Sequence, residues 1–215
     1  MDKNDNKRVK RTKRALRDAL TELMEQKGFE RVSVCDITDA AHVNRGTFYS
    51  HYSDKNDLLR QCEDQLMEDI SAIQMKHADA LPRMLMDVAT KQTPPPVIVD
   101  LYSYLQENKR FVRVLLSDNG DPAFVPRMKA VLRSNVVNLV LHYDPNANVD
   151  DPIGGYYFAF CTEAQLGILR HWLETGAKET PLEMARIIME IAMIAPYQLG
   201  ALLLEKAAGC EEVSA

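Results

Sequence analysis

The chain has 215 residues, 46% apolar and 27% charged, with a net charge of −5 at neutral pH. That length allows one or two domains with a sizeable core, and the composition is that of an ordinary globular protein. No apolar stretch follows the basic N-terminus, and the most apolar run, 191–204, is too short for a bilayer and holds Pro196, Tyr197 and Gln198; neither a secretory signal nor a membrane span is expected, and the cytoplasm is the expected compartment.

Charge divides unevenly. Residues 1–60 carry 13 Lys/Arg against 10 Asp/Glu, and residues 61–215 carry 13 against 21. Eight cations fall within residues 1–17 (Lys3, Lys7, Arg8, Lys10, Arg11, Lys13, Arg14, Arg17), with only Asp2 and Asp5 as anions. A basic end on an acidic body points to a polyanion as partner; a solvated terminus is the alternative. The four cysteines, Cys35, Cys62, Cys161 and Cys210, show neither CxxC nor zinc-ligand spacing. Reduced thiols are expected, the first three of them buried, with no metal and no cofactor.

In chain order the pattern is nearly all helix. Leu16, Leu20, Leu23 and Met24 form one stripe over about 7–27, and Gly28 supplies a stop. Ser33, with Asp36 three residues on, reads as a capping-box start for a helix over 34–41. Asn44 is an N-cap for a helix over 45–51, and Ser53 or Asp54 caps a long helix bearing Leu58, Leu59, Cys62, Leu66, Ile70 and Ile73. A short helix is expected after Pro82. The prolines at 94–96 form a linker, followed by helices over 97–107 and 108–117. Asp121-Pro122 and Asp151-Pro152 each place a cap before a first-turn proline, and Thr180-Pro181-Leu182-Glu183 combines that device with a capping box. The expected fold is all-α with about nine helices.

The last two helices, 152–175 and 181–207, are apolar on more than one face. Ile188, Ala192, Ala195, Leu199 and Leu202 make one stripe, and Ile187, Ile191, Ile194 and Leu203 another. A helix with two apolar faces needs two partners, so a homodimer through these helices is expected, with a larger monomer core as the alternative.

Helices at 34–41 and 45–51 with a turn at 41–44 have helix-turn-helix spacing. In that motif the start of the second helix reaches base edges in the major groove. Arg45 suits a guanine edge or a phosphate, Gly46 permits close backbone approach, and Thr47 offers a hydroxyl and a methyl. Tyr49 and His51 fall off the apolar face and suit phosphate oxygens, while Val43, Phe48 and Tyr52 turn inward.

The run FERVSVCDITDAAHVNRGTFYSHYSDKNDLL, residues 29–59, resembles the DNA-binding signature of TetR/AcrR-type transcriptional regulators. The resemblance covers about 50 residues and rests on several coincident features: the capped short helix, DITDAA, the short turn, RGTFYSHY and SDKNDLL. It implies an N-terminal helix-turn-helix domain of three helices at 1–53, a C-terminal effector-binding and dimerisation domain at 54–215, and a double-stranded DNA operator as partner. It assigns DNA contact to Ser33, Asn44, Arg45, Gly46, Thr47, Tyr49, His51 and Lys55. Family members usually have Gly where His42 stands and often Ser where Asn44 stands; both residues present tolerate left-handed geometry, so the turn is expected to survive. The stretches KRFVRVLLSDNGDPAFVPRMK and RHWLETGAKETPLEMA are similar to a Firmicutes-type C-terminal region whose subgroup includes dihydroxyacetone kinase operon activators, which implies a partner protein as the signal.

The leading expectation is a repressor that reads a near-palindrome and responds to an effector. Candidate ligand-binding residues are Tyr102, Phe111, Leu115, His142, Tyr156, Phe160 and Trp172, although a plain core role is the simpler reading of each. A protein co-regulator is the alternative signal. Enzymatic activity is not expected: His77, His142 and His171 are isolated, Glu163 and Glu174 stand eleven residues apart, and no HExxH, GxSxG or P-loop occurs. Non-specific DNA binding is disfavoured by Arg45 and Thr47 at reading positions.

Overall fold

The computed structural model describes residues 3–80, 93–143, 145–146, 149 and 152–193. Among these are nine α-helices and no strand: α1 (Lys3–Lys27), α2 (Val34–Ala40), α3 (Arg45–Tyr49), α4 (Lys55–Lys76), α5 (Pro96–Glu107), α6 (Lys109–Leu115), α7 (Phe124–Tyr143), α8 (Pro152–Glu174) and α9 (Pro181–Met193). The helix expected after Pro82, the stretch 194–207 and Cys210 lie outside the described residues. No described helix is long and apolar enough to cross a membrane.

Local chemistry sets most of the helix starts. Ser33 accepts from the Asp36 amide at 3.2 Å, while the Asp36 carboxylate accepts from the Ser33 amide at 2.8 Å. Thr180 and Glu183 repeat this reciprocal box at α9. Asp54 caps α4 by accepting from the Asp57 amide at 2.8 Å, and Asp121 accepts from the Ala123 amide at 2.9 Å before α7. Gly28, at φ 75°, ends α1. α1 starts at Lys3 rather than Lys7, since no breaker separates the two. α3 stops at Tyr49, two residues short of expectation: the amides of His51 and Tyr52 both donate to the Phe48 carbonyl, closing the chain into a turn. α6 is shorter at both ends than the expected 108–117. Asn108 sits outside helical geometry, and a turn at 117–120 follows, with Ser117 donating to the Val114 carbonyl. Gly120 is required in that turn, because a Cβ there would meet the Val114 carbonyl oxygen at 2.7 Å.

The chain forms two compact units. The first joins Met1–Ala72 to Glu107–Lys178. Its core holds Leu16, Leu20 and Met24 of α1, Ile37 of α2, Phe48 of α3, Leu58 of α4, Leu115 of α6, Phe124 of α7 and Trp172 of α8, all fully buried. α1 packs on α2 and α6, and α8 packs on α6 and α7. Truncating one such leucine to alanine costs about 2–5 kcal/mol, since the lost contacts leave a cavity. Polar ties reinforce the α1–α6 packing. Arg17 donates to Asn108 at 3.0 Å, Arg110 and Arg113 reach Glu25 at 2.7 and 3.0 Å, and the Phe29 amide donates to the Asn119 carbonyl at 3.0 Å. Partial burial pushes the Glu25 carboxyl up, but the two guanidiniums outweigh it and hold the group below its ordinary value.

The second unit comprises Ile73–Gln106 and Glu179–Ala215. Here α5 buries Tyr102 and Leu105, and Asp100 accepts from Lys76 at 2.8 Å and pairs with His77 at 2.9 Å. α9 buries Met184, Ala185 and Met189 but leaves Leu182, Ile187 and Ile191 exposed. The expected second apolar face of this helix is therefore present and uncovered as far as Ile191.

Candidate nucleic-acid interface

The turn between α2 and α3 is closed onto α2: Ala41 donates to Ile37 and Val43 to Thr38, each at 2.9 Å. His42 bears the left-handed residue of the turn, at φ 53°, the geometry that glycine adopts at least cost and that histidine tolerates. Asn44 then returns to extended geometry and caps α3, accepting from the Gly46 amide at 2.8 Å. A β-carbon on residue 46 would meet that cap oxygen at 3.3 Å, so Gly46 keeps the cap open as well as the outer face clear.

α3 has only five residues, too short to stand without packing. Phe48 anchors it, fully buried, with Tyr49 edge-on at 5.4 Å and Tyr52 at 5.6 Å between ring centroids. Tyr52 is also buried, and burial, with Cys62 and Asp57 adding, pushes its phenol above the ordinary value, so it stays neutral. Val43 is half-buried. What remains outside is Arg45, Gly46 and Tyr49, the last 57% exposed, with Thr47 half-buried between them. His51 is half-buried, its ring 6.2 Å from Tyr52. No carboxylate lies within residues 43–52. The outer face thus presents donors and a cation, as a phosphate-lined groove requires.

Ser33 and Lys55 are engaged elsewhere in the first unit. The Ser33 hydroxyl donates to Asp36 at 2.7 Å, and Lys27 reaches the same carboxylate at 2.9 Å. Lys27 first, then Ser33, holds the Asp36 carboxyl well below the usual carboxylate range. Lys55 donates to the carbonyls of Phe29 and Glu30 at 3.1 and 3.0 Å, with its ammonium 4.7 Å from the Phe29 ring centroid. Two of its three N–H groups therefore pin the Phe29–Arg31 turn to the start of α4. Lys13, from α1, lies 5.7 Å from the Tyr52 ring centroid. Neither clasp was visible in sequence, because spacing rules address neighbours three or four residues apart and these partners are 25 to 39 apart.

The seven candidate ligand-binding residues do not converge. Phe111, Leu115 and Trp172 are buried in the core of the first unit, and Tyr102 is buried in the second, its phenol pushed up to about 12 by burial. Tyr156 and Phe160 stand out from α8, 80% and 58% exposed. His142 lies on α7, and its side chain is outside the described set. The larger described cavity, an open groove of about 530 Å³ between α7 and α8, is lined by Lys129, Arg133, Ser134, Phe158, Thr162 and Glu163 among others, and by none of the seven. Lys129 and Glu163 pair across it. Among the described residues no group of three His, Cys, Asp or Glu could hold a metal ion. Cys35, Cys62 and Cys161 are free and half-buried rather than fully buried; partial burial still pushes the Cys62 thiol up to about 12.

An all-α chain whose capped α2 and short, aromatic-anchored α3 present a donor face belongs to the helix-turn-helix class of DNA-binding proteins. Two family models match it: residues 16–62 match the bacterial regulatory proteins of the tetR family, and residues 92–193 match a transcriptional regulator C-terminal region. The chain belongs to the TetR family of transcriptional regulators. It is 24% identical over 204 residues to the uncharacterized HTH-type transcriptional regulator YxbF of Bacillus subtilis, covering 92% of this chain and 49% of that protein; the chain spans about half the length of that curated relative. Among solved structures, a TetR transcriptional regulator from Streptococcus agalactiae aligns with a TM-score of 0.55 at 23% identity, over 87% of this chain and 96% of the other. The dihydroxyacetone kinase operon activator DhaS aligns with a TM-score of 0.52 at 16% identity, over 85% and 94%. At these identities the likeness is one of fold.

Proposed function

We propose that the chain is a sequence-specific repressor that binds a near-palindromic operator as a homodimer in the cytoplasm, with residues 1–53 reading DNA and residues 54–215 serving dimerisation and effector control. The observation that carries the DNA reading is the outer face of α3, where Arg45, Gly46, Thr47 and Tyr49 stand on a helix fixed by Phe48. Arg45 takes a base edge, Thr47 a base or sugar, and Tyr49 and His51 take phosphates. Asn44 supports them by holding the helix start, and Ser33 and Lys55 do so by capping α2 and pinning the Phe29–Arg31 turn to α4.

The dimer rests on α8 and α9. On α8, Tyr156, Phe160, Glu163, Ala164, Gly167 and His171 are all exposed and recur at helical spacing. A solvent face of this kind, carrying two exposed aromatics, fits coverage by another chain. A second copy is the proposed cover. Two α3 helices would then read half-sites about 34–36 Å apart. The effector acts by binding the DNA-competent and DNA-incompetent states unequally. The groove between α7 and α8, about 530 Å³ and open to solvent, is a cavity available to a small molecule. The open shape of that groove and the exposed aromatics on α8 also suit the second reading, a TetR-like activator whose signal is a partner protein.

Fluorescence anisotropy on duplexes from the chain's own promoter region, with a scrambled competitor, tests the DNA reading. Competitor-resistant binding that Arg45→Ala weakens by about 1–3 kcal/mol, with relaxed preference at one base, is the expected result. Equal affinity of both proteins for operator and scrambled duplex would reject it.

A further inference from the structure

α1 begins well before the part of it that packs. Among its described side chains the first fully buried one is Leu16, and the match to the tetR-family model also begins at residue 16. The turns before that point are still helix, continuous with the packed part. Lys7, Lys10, Arg11 and Arg14 recur there at i, i+3, i+4 and i+7, so they share one face. Nine residues separate Lys7 from Leu16 and Arg11 from Leu20, about two and a half turns, which places the cations opposite the side that enters the core. All four are exposed. Among the described residues only Arg14 has a carboxylate within reach, Asp18 at 3.7 Å with both side chains largely exposed, a pair worth little in water.

This stripe is not free to wander relative to α3. Lys13 rests against the Tyr52 ring just past the recognition helix, and Lys27 grips Asp36 at the start of α2. Both ties hold α1 against the helix-turn-helix. From Lys7 to Arg14 the helix rises about 10 Å, which matches the axial rise of about three base pairs. Four cations on one face at that length match a run of backbone phosphates. They do not match the rest of the chain, where residues 61–215 carry 21 acids against 13 bases but no described carboxylate other than Asp18 meets the stripe.

We infer that Lys7, Lys10, Arg11 and Arg14 form a second DNA contact, a phosphate-binding strip on α1 that engages the duplex flanking the sequence read by α3. This rests on the DNA-binding reading above. The strip carries no base preference; it adds affinity and lengthens the footprint.

The test compares the full chain with a K7Q/K10Q/R11Q/R14Q variant, glutamine being chosen because it keeps helix propensity while removing charge. The operator is recovered by selecting duplexes from a random pool with the wild-type protein, and circular dichroism checks that the variant keeps its helix content. Binding is measured across a salt series on a long duplex and on one trimmed to the selected sequence. On the long duplex the variant is expected to show a log–log salt slope shallower by about 2–3 per bound chain and ~10-fold or more weaker binding at 0.1 M salt, with the preference for operator over scrambled DNA unchanged. On the trimmed duplex the two proteins converge. An unchanged slope on the long duplex overturns the strip, while loss of operator preference in Arg45→Ala in the same assay would leave the DNA-binding reading standing. A difference that persists on the trimmed duplex overturns the flanking placement. Wild type that selects no sequence overturns both.

Discussion

Glu63 offers the sharpest quantitative test of the packing. It lies on α4 with no exposed surface, its Oε2 accepts from Arg127 of α7 at 2.9 Å, and Oε1 is buried with no hydrogen-bond partner among the described residues. Arg127 is divided between this carboxylate and Asp64 at 3.3 Å. Burial raises the Glu63 carboxyl from its ordinary 4.5 to about 7; Arg127 opposes that, and Asp121 and Asp64 add to it. Desolvation therefore outweighs the ion pair. Between pH 4.5 and 7 the folded state holds a proton that the unfolded state releases, so stability falls as pH rises through that window and is flat above it. At ~1.4 kcal/mol per pH unit, ionised Glu63 costs the fold on the order of 3 kcal/mol. Glu63→Gln keeps an acceptor for Arg127 and removes the proton exchange. It should match wild type near pH 5 and melt ~10 °C higher at pH 8, read by thermal circular dichroism across that range. If the variant retains the wild-type dependence on pH, Glu63 is not the titrating group and its burial has been misjudged.

Other expectations follow from the site. Tyr49→Phe should weaken operator and scrambled DNA by the same factor in anisotropy, because the phenol serves phosphates and not bases. His42→Val should cost about 1–2 kcal/mol in denaturant unfolding, since a β-branched residue resists the left-handed turn, whereas His42→Gly should stay within ~0.5 kcal/mol. Ile187→Asp or Tyr156→Asp should give monomers by light scattering with an intact helical spectrum, because both side chains are exposed in one chain; an unchanged mass would move the interface elsewhere. Ile188→Asp is a poorer probe, as that residue is half-buried. Ser33→Ala should remove the α2 cap at a cost of about 1 kcal/mol.

Much of the fold was readable because its punctuation is local. The boxes at Ser33–Asp36 and Thr180–Glu183, the cap at Asn44 and the stop at Gly28 each involve residues within a few positions, and each forms as its spacing suggests; Asp121 instead closes a turn onto the Ala123 amide, and α7 starts only at Phe124, beyond Pro122. Spacing also separated Phe48 and Tyr52, which are buried, from Arg45 and Tyr49, which are exposed. What stayed hidden is long-range. Glu63 is buried beside the apolar stripe of α4 by a partner 64 residues away, and Arg17 meets Asn108 across 91. The seven ligand candidates were chosen as aromatic and apolar residues on helix faces, and such a choice does not distinguish a cavity wall from a packed core. Phe111, Leu115 and Trp172 are buried, Tyr156 and Phe160 are exposed, and the groove is bounded instead by Gly155, Phe158, Ala159 and Thr162, one or two positions from the exposed pair, together with Lys129, Arg133 and Ser134 of α7.

The chain's single tryptophan, Trp172, is 1% exposed. Intrinsic emission excited at the red edge of the ultraviolet band therefore reports from one sealed point on α8, far along the chain from α3. Acrylamide should quench it poorly in the native protein. An unfolding transition followed by this signal dates the loss of the core around α8, and one followed by helical circular dichroism dates the whole chain, so any gap between the two curves measures how independently the remaining helices melt from that core.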